Sequence, residues 1–264
     1  MREKFTSARL KIERAKEHVA DMESGLQRFH ALNPYHVGVK RDPNTRRPTY
    51  FMLSVAPVPR RISLLVGETI HCLRSALDHI AYELFIANGG TPTAAKHVYF
   101  PISDSAAKYK TEGLGKVKGL AQTAINAINA TEPYDGGNGR WLWVLHKLNN
   151  IDKHRLLIVV VSAHRNVDVS AIFAREFAKL PSGRFKGLQI PPIPLMPADR
   201  KCPLKSGDEL FTDAPDAEFD QNIKFTFTVS FGEPGILEGE PVVESLHQMT
   251  NLVSSILTRL LPFV

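Results

Sequence analysis

The sequence predicts an α+β protein: a helical bundle that carries a β-hairpin after its first helix and an antiparallel β-insertion before its last. Three observations carry this. The first thirty residues place apolar side chains alternately three and four apart. Two β-rich runs follow at once around "DPNT". From about residue 156 to 232 the pattern changes to short β-branched and aromatic runs before helical spacing returns.

Phe5, Ala8, Ile12, Ala15, Val19, Met22, Leu26 and Phe29 form the seam of the first helix, and Asn33-Pro34 ends it, because the residue before proline is pushed out of the helical region. "YHVGVK" and "TYFMLSV" around "DPNT" read as a hairpin over about 35–56. A second long helix runs from about Arg60 to Asn88 and stops at "NGG", where glycine takes the left-handed cap. The serine and aspartate of "HVYFPISDS" cap a short helix over about 104–112, and "VKGLAQTAINAINA" forms another. "RWLWVLHKLNNIDKHR" restarts a helix that reaches about residue 155. Beyond it "LLIVVVSA", "VDVSAIFA", "RFKGLQI" and "IKFTFTVSF" are strands, interrupted by the proline-rich "IPPIPLMPADRKCP". Val243, Leu246, Met249, Val253, Ile256, Leu257 and Leu260 line a final helix expected to dock on the first ones. One domain over 1–264 is expected, its helical core at about 1–33, 59–155 and 241–264.

Composition narrows the function. The chain has 264 residues, 43% hydrophobic and 23% charged, which suits a folded globular protein. No stretch reaches about 18 consecutive apolar residues and the N-terminus has no apolar signal core, so no membrane and a cytoplasmic location are expected. Cys72 and Cys202 have no zinc-type spacing. A formal charge of +6 and a pI near 9.3 permit contact with phosphates. The chain has no GxSxG elbow, no phosphate loop of the GxxxxGK[ST] kind and no dinucleotide fingerprint.

The chemistry-bearing residues gather on two helices. On the second long helix Glu68, His71, Ser75 and Asp78 share a stripe flanked by Arg74 and His79; on the 140–155 helix His146, Asn150 and His154 share another, flanked by Lys153. Buried polar groups cost several kcal/mol unless they satisfy one another, so the two stripes are expected to face each other. Lys153, His154 and Arg155 also suit a helix C-terminus, where the macrodipole favours cations.

Three functions fit. In the leading one, His79 and His154 are acid-base groups, Asp78 orients a histidine, and Arg74, Lys153 and Arg155, with Asn150 and Ser75, hold an anionic substrate such as RNA phosphate, with no cofactor. In the second, Glu68, His71 and His146, with Asp78 and His154, bind zinc, iron or manganese in a hydrolase or oxidase. In the third, the long helices form a homodimer or docking surface and the polar stripes set its register.

"IHCLRSALDHIAYEL", "YFPI" and "VLHKLNNIDKHRLL" together resemble a widespread set of bacterial proteins that has no established activity. The resemblance spans about residues 60–160 and implies Arg74, Ser75, Asp78, His79, Asn150, Asp152, Lys153, His154 and Arg155 as positions to test. A fainter similarity to HEPN-type helical ribonucleases rests on the helical architecture and on Arg74 with His79; Arg140 and His146 fit the same arginine-to-histidine spacing. It implies metal-independent chemistry at an RNA 2′-hydroxyl. The chain departs from that pattern in its β-insertion and in placing Arg74 and His79 inside a long helix.

Overall fold

The structure, a computed structural model, describes residues 4–166, 202–212, 215 and 224–264. Helix α1 (Thr6–Ala31) is followed by β1 (Tyr35–Arg41) and β2 (Pro48–Val55), then by α2 (Arg60–Ala87). The short α3 (Ala106–Thr111) and α4 (Gln122–Asn129) lead to α5 (Arg140–Asp152). Strands β3 (Val159–Asn166), β4 (Glu209–Thr212) and β5 (Lys224–Phe231) precede the last helix, α6 (Val242–Leu260). The α+β class, the hairpin after the first helix and the return to a helix at the end are as the sequence predicts. The expected strands "VDVSAIFA" and "RFKGLQI" and the proline-rich segment up to residue 201 lie outside the described residues.

The α1 seam is buried inside the chain, where Ala8, Ile12, Ala15, Val19 and Met22 meet α2 and α6. That surface is therefore used within one molecule, which removes the reason to expect a homodimer through it. Three polar contacts mark the pairing of α1 and α2. Glu83 accepts from the Phe5 backbone N at 2.8 Å and the Ser7 hydroxyl at 3.0 Å, and Glu68 stands 3.4 Å from His18 Nδ1. The two helices thus run antiparallel. Buried α2 side chains such as Leu73, Leu77 and Ile80 form the centre of the core, each worth about 1.5–3 kcal/mol of burial.

The hairpin turns as its sequence requires. Asp42 Oδ1 accepts from the Asn44 and Thr45 backbone N–H groups at 2.8 and 2.7 Å, an Asx-type turn. Strand β4 pairs with β2, so the hairpin and part of the insertion make one sheet in the order β1-β2-β4, while β3 and β5 pair antiparallel as a second. Met52, Val161, Ala163 and Leu204 form a small core involving both. Helix α4 is shorter than the pattern implies, because Gly113–Val117 is a 3-10 turn and the chain is irregular before Gln122. The expected short helix is present; Ser105 is its cap, its Oγ accepting from Lys108 N at 3.3 Å.

Candidate functional site

Helices α2 and α5 pack antiparallel, a register marked by Arg74 beside His146 and Gly67 beneath Asp152. Arg74 is buried and spends its three nitrogens on three partners. Its Nη1 donates to Asp78 Oδ1 at 2.6 Å, its Nε to His146 Nδ1 at 3.4 Å, and its Nη2 to the Phe100 carbonyl at 3.4 Å. Asp78 Oδ1 also accepts from the Phe100 backbone N at 3.0 Å. On the other side of the imidazole, the Asn150 side-chain nitrogen Nδ2 lies 3.1 Å from His146 Nε2. "RSALDH", "YFPI" and "HKLNN" therefore meet in one network.

Burial pushes the His146 imidazole down to about 4, and Arg74, Lys116, Lys153 and Lys147 push the same way. The ring is neutral at pH 7, with its Nδ1 lone pair held by an arginine that never gives up its proton. It is a structural acceptor and a poor acid or base. The sign of its linkage follows. A folded value of about 4 against an ordinary 6.5 means that the unfolded chain binds a proton that the folded one refuses. The stabilisation is thus complete above pH 6.5 and lost as pH falls through 4. With a discount for partial solvent access, wild type is expected to lose about 2 kcal/mol over that window that a His146→Gln variant does not. Urea denaturation at both ends of it, on both proteins, checks this; parallel curves would contradict it.

Asn150 also lines an open depression of about 470 Å³, together with Lys147, Ile151, His154 and Arg155. Lys147 reaches back to Asp104, 2.7 Å away, and Trp143 Nε1 donates to the same carboxylate at 3.1 Å. Lys147 first and Trp143 second hold the Asp104 carboxyl down at about 2. Asp104 was expected as part of a helix cap; it anchors α5 instead.

Several expectations are corrected. Helix α5 ends at Asp152, so Lys153, His154 and Arg155 occupy an exposed turn in which His154 N bonds to Ile151 O. Arg155 is a clamp, with Nη1 and Nη2 donating to Glu233 Oε1 and Oε2 at 2.9 and 2.8 Å. Glu233 Oε1 also accepts from Ile158 N at 2.7 Å. The guanidinium expected to hold substrate is thereby tied to a buried carboxylate. His79 and His154 cannot act as a pair: by the α2/α5 register they lie about 20 Å apart along the helix axes. His79 Nδ1 is buried with no hydrogen-bond partner among the described residues.

The single α2 stripe also divides. Gly67, Arg74 and Asp78 face α5, whereas Glu68 contacts His18 on α1, and helical geometry puts the half-buried Ser75 and His79 on that same side. The proposed metal ligands are dispersed with it. Glu68 is with α1, His71 is exposed and His146 is bonded to Arg74, and among the described residues no three His, Cys, Asp or Glu side chains are placed to hold a metal ion.

Asp152 sits directly on the Gly67 backbone. A Cβ there would lie 2.2 Å from Asp152 Oδ1 and 2.6 Å from its Cγ. This burial pushes the Asp152 carboxyl up, with His71 opposing and Glu68 adding to the rise. Gly67→Ala must push the Asp152 carboxylate aside, and wild type is expected to be destabilised by up to about 1 kcal/mol. In an Asp152→Ala background the same change is expected to stabilise, by up to about 1 kcal/mol of helix propensity. Denaturation of the four proteins of this cycle reads the reversal, and the same sign in both backgrounds would show that the contact does not limit packing.

Sequence reasoning missed Glu233, whose only local signal is a carboxylate between glycine and proline in "FGEPG", and the Phe100 backbone, which no side-chain motif reveals. Compared with known proteins, the chain matches no family model, no curated protein and no solved structure. Among the described residues no helix is long and apolar enough to cross a membrane.

Proposed function

We propose that the depression at the end of α5 binds an RNA phosphate, and that the protein cleaves RNA there without a metal, in the cytosol. One observation carries this reading: an imidazole and a side-chain amide, those of His154 and Asn150, line one open hollow with no carboxylate among its lining residues, beside the ammonium of Lys147, which a phosphate would have to share with or take from Asp104. His154 is the acid-base group. It takes the proton of a 2′-hydroxyl whose oxygen attacks phosphorus, the bond to the 5′-oxygen breaks, and water protonates that leaving oxygen, giving a 2′,3′-cyclic phosphate. Lys147 and Asn150 face the non-bridging oxygens as their charge grows. Arg74, Asp78 and His146 are positioning residues behind Asn150. The basic balance of the chain supports the choice of an anionic polymer. The reading keeps the anionic substrate expected from the sequence and places its chemistry on His154 without His79.

The test is incubation of a single-stranded RNA oligonucleotide with wild type, His154→Ala and His79→Ala, each with and without a chelator. Cleavage that survives the chelator and His79→Ala but not His154→Ala supports the proposal. Absence of cleavage by wild type, or loss to the chelator, sinks it.

A further inference from the structure

We infer that Asp104 is an internal competitor for the ammonium of Lys147, holding it off the depression until a polyanion displaces the carboxylate, and so restrains ligand binding in the free protein. The inference rests on the depression being the ligand site and adds how that site is regulated.

Lys147 belongs to two places. It lines the depression with Asn150, Ile151, His154 and Arg155, yet its Nζ lies 2.7 Å from Asp104 Oδ1. The same oxygen accepts from Trp143 Nε1 at 3.1 Å, and Lys147 Nζ stands 5.8 Å from the centre of the Trp143 ring. Trp143 is one turn before Lys147, and a helical side chain covers the turn on the N-terminal side of its own Cα. The ammonium is therefore held toward the start of α5, whereas Asn150 and His154 lie toward its far end.

The pair can exchange, and the neighbouring clamp cannot. Lys147 is 35% exposed and Asp104 47%, and an exposed ion pair contributes little to stability. Asp104 is not stranded when the ammonium leaves. Trp143 Nε1 still donates to it, and Lys108 Nζ stands 3.6 Å from its other oxygen. Lysine is a point charge on a flexible stem, so turning to a new partner breaks no fixed geometry. Arg155, by contrast, donates through both Nη atoms to the buried Glu233. Of the two cations lining the depression, Lys147 exchanges and Arg155 stays.

An incoming anion thus meets a carboxylate already in place. Lys147 first, and Trp143 second, hold the Asp104 carboxyl down at about 2, so the competitor is charged at any working pH. A tethered group acts at high effective concentration, against which a lone anion gains little. A strand that carries several phosphates brings more charge than Asp104 and displaces it.

The experiment measures binding of a labelled all-2′-deoxy oligonucleotide to the full chain by fluorescence anisotropy, at about 0.15 M salt, where charges farther apart than about 8 Å are screened. Asp104→Asn is expected to bind about three- to fivefold more tightly than wild type, the worth of an exposed pair. Asparagine keeps an oxygen for Trp143 Nε1, and an unchanged melting temperature checks that the fold is kept. Asp135→Asn makes the same charge change beside Arg140, 3.5 Å from Asp135 and two turns from Lys147, about 10 Å along the axis, and is expected to leave binding unchanged. With Lys147→Ala already in place, Asp104→Asn is expected to have no effect. In wild type, the NMR signal of the Asp104 carboxyl carbon is expected to move as the oligonucleotide is added, with the same midpoint as the Lys147 side-chain signals.

Any of four results overturns the inference: equal binding by wild type and Asp104→Asn, an equal gain from Asp135→Asn, a gain that survives Lys147→Ala, or an Asp104 signal that stays still at saturation. Tighter binding by Asp104→Asn without RNA cleavage by either protein supports it and ends the ribonuclease reading. RNA cleavage by wild type with no gain in binding from Asp104→Asn does the reverse.

Discussion

Replacing His154 with alanine is expected to lower the rate of RNA cleavage by two to four orders of magnitude, the span that removal of a general base commonly costs. The histidine is suited to the task by what the fold does not do to it. His154 lies in the exposed turn after α5, at the hollow, whereas His146 is locked on both ring nitrogens and His79 lies about 20 Å along the axis. The effect should fall on kcat, because the proton is taken in the transition state, with KM changed little. Lys147→Ala should instead raise KM and flatten the salt dependence, since a lysine facing phosphate acts in ground and transition states alike. Steady-state kinetics on both variants decides between these roles. Equal losses in kcat from the two would mean that the division is wrong.

Loss of the Arg155–Glu233 clamp is expected to be the largest change in stability. Glu233 is 1% exposed and Arg155 49%, so the carboxylate is the committed partner and the guanidinium its solvent-facing neutraliser. Removing one member of a buried pair typically costs about 3–5 kcal/mol, because the other charge stays behind unpaired. Solvent access to Arg155 reduces this, so Arg155→Ala is expected to destabilise by less than the loss of a fully buried partner would. Glu233→Ala should cost at least as much, as it also removes the acceptor of the Ile158 N–H and opens a cavity. The double substitution Arg155→Met with Glu233→Leu should cost less than the two single alanine changes combined, because no lone charge remains. Urea denaturation followed by circular dichroism measures all of these. No measurable cost for Arg155→Ala would mean that water replaces the guanidinium.

The clamp also shows why the two ends of the β-insertion matter to the site. Arg155 and Ile158 lead into β3, and Glu233 follows β5, with Gly232 N donating to the Ile158 carbonyl at 2.9 Å. The turn that carries His154 is thereby fixed by a carboxylate some eighty residues away in sequence. Its placement depends on that pair.

The helices were legible because their signal is periodic and local. The seam from Phe5 to Phe29 and the stripe from Leu246 to Leu260 are both buried as their spacing requires, with Val242 rather than Val243 fully buried at the start of the second. That the two helices pack against each other with polar groups between them was legible too, since buried polar groups need partners, although the pair that meets is Arg74 with His146, and Asp78 binds Arg74 and the Phe100 backbone instead of a histidine. What the sequence could not show was rotation and termination. A stripe read at 100° per residue does not say which neighbour each edge meets, and Glu68 went to α1 while Arg74 went to α5. The turn after α5 is held by Glu233, a long-range partner, and the grip of Phe100 on Asp78 and Arg74 comes from a backbone that carries no residue signature. The joining of β4 to the hairpin was hidden for the same reason: strand pairing is non-local and "DELFT" has no sign of its partner.

The most direct test of the account is to map where RNA binds. Backbone and side-chain NMR signals of the full chain would be followed while an all-2′-deoxy oligonucleotide is added at low salt. The account predicts that the largest shifts fall on Lys147, the Asn150 side chain, Ile151 and His154, and that they are lost together in Lys147→Ala. Shifts confined to other surfaces, or none at saturating oligonucleotide, would contradict it.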